Sequence, residues 1–182
     1  MAFPNNIVKV TGSNAPGIKN EVLLASVDWF ETIANPPATS TYPGEKMVIV
    51  DDHIFKTASP ALGFVKMYLT PRSSELTIEQ VGEIDSEGYN CMLEGFVPNI
   101  SMALFELMVD SDNFLLLVQD IDCAKNTYYQ LGSSCSTTLK QGWKFATGKE
   151  GGEGKKGTTV KFDAYMSTPL FYQGAISYAI QP

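Results

Sequence analysis

Charged residues are scarce in this sequence. Asp, Glu, Lys and Arg together make up 18% of the 182 residues, below the roughly 25% of an average soluble chain. The few charges are unbalanced, because the formal net charge is −7. A protein that binds nucleic-acid phosphates needs a positive surface, so this composition argues against a nucleic-acid-binding protein.

Cysteines and long apolar runs are also few. Cys91, Cys123 and Cys135 lack the spacing of a metal site, and their odd number predicts reduced thiols, with Cys91 in the core. No apolar run reaches the 18 residues of a membrane span, and the N-terminus resembles no signal peptide. We therefore expect no membrane partner. The 44% hydrophobic content is ample for a core, and the length predicts one domain over residues 1–182.

Catalytic patterns are missing as well. His53 is the only histidine and follows Asp51 and Asp52; the three can form a metal or acid–base cluster, but a turn between two strands explains the aspartates more simply. Gly152 and Gly157 have the spacing of a phosphate-binding loop, yet Thr158 stands where that loop requires lysine. The sequence therefore predicts no enzyme and no cofactor.

What the sequence does contain is strand patterning, most clearly over residues 114–168. An apolar run at 114–121 and a return at 127–131 predict a hairpin. Two alternating segments follow, which predicts strands with one buried face. The proposed buried sides are Leu139, Trp143 and Phe145, opposite Lys140 and Lys144, and then Val160, Phe162, Ala164 and Met166, opposite Lys161 and Asp163.

The remaining elements complete a mainly β fold. Further strands are expected near Ile7–Val10, at 21–25, at 46–50 with a partner at 54–55, and at 64–69. One helix is predicted from Met102 to Asp110, with Asn99 or Ser101 as its cap. It is apolar almost all round, so it is either covered by its own chain or meets another subunit through Leu104, Phe105 and Met108. The pattern predicts a β-sandwich or barrel of about eight to ten strands with one flanking helix.

A second predicted hairpin, residues 75–96, has an acidic face. Leu76 and Ile78 are expected to point one way, and Glu75, Thr77, Glu79 and Glu83 the other, with Glu87 in the turn. This face is either a solvated surface or a functional lining.

A loop rich in glycine and charge, residues 148–157, joins the last two long strands. Five glycines in such a loop make it costly to order alone. We expect a neighbouring subunit to order it, through Lys149, Glu150, Lys155 and Lys156.

Several of these segments together resemble a known family. The hairpin leads into Tyr128-Tyr129-Gln130-Leu131-Gly132, then Thr147-Gly148 and the glycine loop, then the strand 160–166 and Pro169. Near the start, Thr11-Gly12-Ser13 precedes Pro16-Gly17-Ile18-Lys19. This order is similar to tail tube proteins of tailed bacteriophages, in particular phages of Bacteroidetes-type hosts. The likeness is closest in the C-terminal third, and the loop is more lysine-rich than is usual in the family.

The resemblance implies a β-sandwich that forms rings, expected to be hexameric, which stack into a tube for DNA. Such a protein has no catalysis and no cofactor, and its partners are further copies of itself and possible sheath, tail-terminator or baseplate proteins. It is expected in the virion tail, assembled in the host cytoplasm. Glu75, Glu79, Glu83 and Glu87 then become candidates to line the channel, where DNA passes without specific binding. The alternatives are a head decoration or head–tail joining protein, or the tube of a phage-derived injection device.

Overall fold

Strands dominate the computed structural model of this chain. Within the described residues it contains twelve strands and one α-helix, which confirms the expected mainly β fold with a single flanking helix. The described residues are 16–39, 45–83, 85–99, 101–121, 127–136, 138–149 and 154–179. The strand expected near Ile7–Val10 lies outside them, as do Cys123 and Glu150.

The elements follow one another in this order: β1 (Ile18–Ser26), β2 (Phe30–Thr32), β3 (Val48–Ile49), β4 (Ile54–Phe55), β5 (Val65–Tyr68), β6 (Glu75–Val81), β7 (Gly88–Pro98), α1 (Met102–Asp110), β8 (Asn113–Asp120), β9 (Tyr128–Leu131), β10 (Thr138–Ala146), β11 (Gly157–Met166) and β12 (Leu170–Tyr172). Single 3-10 turns, Val27–Trp29 and Glu45–Met47, precede β2 and β3. The segment 28–31 therefore contains both a turn and a strand.

Ten strands form one hydrogen-bonded sheet that folds over on itself. We name its two halves sheet I, with the order β6-β7-β11-β10, and sheet II, with the order β5-β1-β8-β9-β12-β3. The halves are joined where Thr138 and Leu139 of β10 pair with β8. The remaining two strands, β2 and β4, form a small separate sheet.

The two halves face each other across the core. The rings of Phe114 in sheet II and Phe162 in sheet I meet edge to face at 5.6 Å. A second connection closes the opposite side, because the Leu69 N–H donates to Asn20 O in sheet II and the Thr70 N–H donates to Phe96 O in sheet I. The result is a sandwich with barrel-like closure, and the predicted core positions Val160, Phe162, Ala164 and Met166 are all buried.

The hairpin from β8 to β9 forms as predicted, with Leu116 opposite Leu131. The expected pairing of 46–50 with 54–55 is wrong. β3 pairs in parallel with β12, whereas β4 pairs with β2. The chain turns away between them because Asp52 accepts a hydrogen bond from the Ala175 N–H at 2.6 Å and His53 is buried.

A bulge in β10 exchanges the expected faces of Leu139 and Lys140, whereas Trp143, Phe145 and Lys144 keep the faces that the sequence predicted. The register shifts between Lys140 and Gly142, so Lys140 lies opposite Phe162 while Trp143 lies opposite Val160. Because directly opposed residues share a face, Lys140 lies on the inner side with Trp143, and Leu139 lies on the outer side. The sequence analysis assumed that inward and outward residues alternate along the whole strand. One extra residue shifts that alternation by one position.

The inward-facing Lys140 contacts the C-terminal end of α1. Its ammonium donates to Met108 O and to Ser111 O, and lies 2.9 Å from a carboxylate oxygen of Asp112. These carbonyls have no partner inside the helix, and the helix dipole makes this end negative. At the other end the Ser101 hydroxyl accepts the Leu104 N–H at 3.3 Å, as the predicted cap requires.

Replacing Lys140 should therefore destabilise the fold. We expect Lys140→Ala to lower the free energy of unfolding by about 1–3 kcal/mol, because buried carbonyls and Asp112 lose a charged partner. The matched control is Lys144→Ala, which removes an exposed lysine from the same strand and should change stability by about 0.5 kcal/mol or less. Urea titrations followed by circular dichroism measure both, and equal losses would contradict the assignment.

Candidate functional site

The outward face of sheet I carries Glu75 and Glu79, two of the glutamates that the sequence singled out. Glu75 of β6 lies opposite Glu94 of β7, which lies opposite Lys161 of β11. The Lys161 ammonium is 2.7 Å from a Glu94 carboxylate oxygen. Both side chains are half-exposed, so the pair stabilises the fold only slightly. Its effect is on charge, because it neutralises a carboxylate that lies beside Glu75.

The four glutamates proposed as a lining separate into two groups. Glu75 and Glu79 are exposed on the same face of β6. Glu83 lies beyond the end of that strand, and its carbonyl accepts the Ser86 N–H at 2.9 Å. Glu83 and Glu87 therefore belong to the turn between β6 and β7, and the expected alternation of Glu83 with Glu79 ends at Val81.

Gly82 sets this turn. Its φ is +105°, and a β-carbon there would lie 2.3 Å from Ser86 O. Only glycine fits such a position without strain. The strand is consequently cut short before Glu83, which explains why a simple two-residue period overestimated the length of β6.

Apolar side chains share the outward face with these charges. Opposed positions on β6, β7, β11 and β10 bring together Thr77, Met92, Asp163 and Leu139. Leu139 is 50% exposed. Tyr165, the next outward-facing residue of β11 after Asp163, is 57% exposed. The outward face is therefore mixed, with exposed apolar groups beside charged ones.

Both edges of sheet I are open in the described part of the chain. β6 pairs with β7 alone, so the other edge of Glu75–Val81 has no strand partner there. At the far side, β10 pairs with β8 only through Thr138 and Leu139, which leaves residues 141–146 without a partner strand among those described. Open edges expose backbone donors and acceptors that can pair with another chain.

The described flanks of the segment between β10 and β11 lie at one end of sheet I. Lys149, Lys155 and Lys156 on these flanks are exposed. The Lys155 ammonium lies 6.0 Å from the Phe96 ring, and Lys156 O accepts the Asn99 N–H at 3.0 Å. These contacts anchor the returning flank to β7, while Glu150 lies outside the described residues.

Helix α1 is covered on one side and exposed on the other. Leu104 and Met108 are buried, and Phe105 packs its ring 5.0 Å from Trp143 and 5.6 Å from Phe145. Met102 and Val109 are 68% and 70% exposed. The three predicted packing residues thus pack against their own chain, and the exposed apolar surface of the helix is formed by Met102 and Val109, which the sequence analysis did not select.

A cleft of about 900 Å³ beside β6 is a further feature that the sequence did not indicate. Ile18, Leu76, Ile78 and Tyr129 line it, and the Tyr129 hydroxyl donates to Asp120 at 3.4 Å. Burial, followed by the charge of Asp120, raises the pKa of Tyr129. Because β6 contributes to its wall, a chain added to the edge of β6 would also cover the cleft.

His53 is a structural residue in this fold. It is only 4% exposed and its ring stacks on Tyr172 at 4.4 Å. Its Nδ1 accepts the Ala34 N–H at 3.1 Å, and its Nε2 lies 3.0 Å from Gln130 Oε1. The Gln130 amide in turn donates to Gly132 O, so both contacts are satisfied only by neutral imidazole with its proton on Nε2.

The two described cysteines have different surroundings. Burial, followed by the charge of Asp163, raises the pKa of Cys91 to about 11, so its thiol stays protonated at neutral pH. The expectation that Cys91 is a core residue is confirmed, while Cys135 is exposed in the turn after β9. In the described ranges, no three His, Cys, Asp or Glu side chains are grouped to hold a metal. No described helix is long and apolar enough to cross a membrane.

The neutral state of His53 predicts a pH dependence of stability. Burial lowers the pKa of His53, against smaller opposing effects of Gln130 and Asp52. The unfolded chain therefore takes up a proton near pH 6.5 while the folded chain does not, so stability is complete above that pH and falls as pH drops below it. Urea midpoints measured from pH 8 to pH 5 should decrease across this window.

A variant isolates the effect, because His53 is the only histidine. His53→Gln should lose stability overall but show a nearly constant urea midpoint between pH 7 and pH 5, where carboxylates hardly titrate. A wild-type midpoint that stays constant over the same range would show that the imidazole is not held neutral.

Comparison with known proteins supplies no further identification. Neither a protein-family model, nor a curated protein, nor a solved structure matches this chain. A functional assignment therefore depends on the open edges, charges and exposed apolar groups of the chain itself.

Proposed function

We propose that this protein is a virion structural protein that polymerises as stacked rings, expected to be hexameric, into the tail tube of a bacteriophage. The observation that carries the proposal is that, among the described strands, both edges of the four-stranded sheet I lack a partner over most of their length. One copy can offer the edge of β6 and the next copy the edge of β10, in the manner of strand addition.

The strand directions suit this arrangement. Neighbouring strands of sheet I are antiparallel throughout, so β6 and β10 run in opposite directions. Rotation about an axis along the strands keeps each direction unchanged. The β10 of one copy would therefore lie antiparallel to the β6 of the next, and every copy would extend the same antiparallel sheet. A head-to-tail contact of this kind closes into a ring when the rotation is a whole fraction of a turn.

Charge and apolar surface support the same contact. The outward face of β6 carries Glu75 and Glu79, whereas β10 carries Lys144. Opposite charges on adjacent strands stabilise their pairing. The cleft beside β6 and the exposed Met102 and Val109 of α1 add surface to an obligate interface, which typically buries about 2,000–5,000 Å² in total.

The outward face of sheet I would then line the tube. DNA carries one negative charge per roughly 1.7 Å of duplex axis, and a basic wall would retain it. Glu75 and Glu79 repel it instead, within a screening length of about 8 Å at physiological salt. The protein's role in this proposal is mechanical, with no reaction and no cofactor, in a virion tail assembled in the host cytoplasm. Sheath, tail-terminator or baseplate proteins are its proposed partners beside itself.

Proline substitution tests the edge contact. Successive residues of a strand direct their N–H groups to opposite edges, so one of Thr77→Pro and Ile78→Pro removes a donor from the open edge of β6. That variant should fold, because edge strands tolerate proline, and should form no rings in negative-stain electron microscopy. The control Thr77→Val should assemble normally. If both proline variants fold and both still form tubes, the proposal is wrong.

The acidic wall makes a separate prediction. Replacing Glu75 and Glu79 together by lysine should still allow tubes to form, because backbone pairing of β6 with β10 needs neither side chain. Losing the attraction to Lys144 should raise the protein concentration that assembly requires. Phage carrying the variant should eject DNA more slowly or incompletely. The control replaces both residues by glutamine, which removes the repulsion without adding attraction. Unchanged DNA delivery by the lysine variant counts against an electrostatic role for the wall.

A further inference from the structure

The inward face of β6 is apolar, and no described element covers all of it. Leu76 lies opposite Leu93 and Ile78 lies opposite Cys91, and both of these β7 residues are buried in the core. Opposed residues share a face, so Leu76 and Ile78 continue the core face of the sheet. Ile78 is nevertheless 38% exposed. In the part of the chain that the structure describes, a face that is core in β7 is therefore open in β6.

The cleft of about 900 Å³ lies against this open face. Its other wall belongs to sheet II, because Ile18 pairs with Asp120 of β8 and Tyr129 pairs with Val118. Val118 lies four residues after Phe114, so both point towards sheet I. The cleft is thus a gap between the two sheets at one end of the sandwich. Packed cores leave few gaps larger than a water molecule, so a gap of this volume beside core residues indicates a docking site.

The described chain begins at the rim of this cleft. Pro16 and Gly17, its first two residues, line the cleft, and Gly17 O accepts the Ile121 N–H at 3.2 Å. Val10 lies six residues before Pro16, so it can reach about 20 Å from the rim at about 3.3 Å per extended residue. β6 has seven residues, or roughly 23 Å. Most of the open face is therefore within reach of the segment that precedes Pro16.

The strand that follows this segment has little room for it. β1 pairs with β5 from Glu21 to Leu24, and its other edge pairs with β8 from Ile18 to Ser26. A simple hairpin of the preceding segment with β1 is therefore blocked over most of β1. The cleft, in contrast, is an apolar surface at the point where the segment joins the described chain.

The sequence of the segment suits the cleft. Residues 7–10 are Ile-Val-Lys-Val, and alternation in an extended chain places Val8 and Val10 on one side and Lys9 on the other. The two valines match the apolar walls. Lys9 is the only charged side chain in residues 1–15, and the carboxylates that line the cleft outnumber its one arginine.

We propose that residues 7–10 dock into the cleft of their own copy, with Val8 and Val10 against Leu76 and Ile78. The inference concerns a single subunit and does not depend on the proposed tube. A docked segment lies under the inward face of β6, so it leaves the hydrogen-bonding edge of that strand free. It would also support β6 from below and hold that edge in position for a strand of a second copy.

Thiol labelling tests whether the cleft is occupied. All variants carry Cys123→Ser and Cys135→Ser, which leaves the buried Cys91 as the one native thiol. They are compared at concentrations at which sedimentation velocity shows single subunits. In the Ile78→Cys background, adding Val8→Asp and Val10→Asp should speed the reaction with a maleimide about tenfold, because unpaired carboxylates are not buried among apolar side chains. Leu76→Cys provides the same comparison at a second position.

Two matched controls accompany this comparison. Asn5→Asp with Asn6→Asp adds the same charge without changing the valines, and should leave the rate at Ile78→Cys unchanged. Thr77→Cys places the thiol on the outward face of the same strand, and its rate should not respond to the aspartates at positions 8 and 10. Circular dichroism verifies that each variant keeps the β fold.

Disulfide formation identifies the occupant. With Val8→Cys and Ile78→Cys, oxidised glutathione should form a disulfide within one chain, because the bond requires α-carbons within about 4–7 Å of each other. In the control pair, Val8→Cys is combined with Val109→Cys on the exposed side of α1, and this pair should stay reduced. Mass spectrometry with non-reducing electrophoresis distinguishes a bond within one chain from a bond between two chains.

Three results would overturn the proposal. The first is a labelling rate at Ile78→Cys and at Leu76→Cys that does not respond to the two aspartates. The second is an equal disulfide yield from the test pair and the control pair. The third is a disulfide that joins two chains, which would assign the cleft to the segment of a second copy. None of these results depends on ring formation, so the tube proposal stands or fails separately.

Discussion

The burial of β8 on both of its faces is the constraint on which the rest of this structure depends. Its residues Phe114 to Gln119 are all buried, so each face of the strand must be covered by something else. Sheet I covers one face, where Phe114 meets Phe162. The elements around His53 cover the other, since His53 contacts Gln130 of the neighbouring β9. Both apolar faces of β8 must be shielded from water, and the arrangement of the other elements provides that cover.

Much of this architecture could be predicted from sequence because the signals are local. Alternation defined β6, β7 and β11, the apolar run defined β8, and Ser101 defined the start of the helix. The pairing of β3 with β12 could not be predicted, because it depends on Asp52 reaching Ala175 more than a hundred residues away. The bulge in β10 was missed although the sequence carried a signal for it, because the register shifts at Gly142 and an isolated glycine inside a strand often marks a bulge.

The candidate surface was predicted in composition but not in arrangement. The sequence identified its glutamates and lysines. The structure places them on the outward face of sheet I and at the two ends of that sheet. Glu83 lies off the predicted face because the positive φ of Gly82 ends β6 before it. The neutralising contact of Lys161 with Glu94 was missed for another reason, because it joins strands that are far apart in the chain. Cross-strand contacts of this kind follow from register, which a single sequence specifies only weakly.

The extra residue in β10 has a geometric consequence for any closed assembly of this chain. A bulge bends its strand and increases the local twist, and here it lies next to the open stretch of residues 141–146. The tilt of that stretch relative to the body of the sheet sets the angle at which a second sheet can be added. The circumference of a closed wall follows from that angle, because a smaller bend per subunit needs more subunits to complete the circle. The inner diameter of a ring built from this protein would therefore depend on the single extra residue in β10.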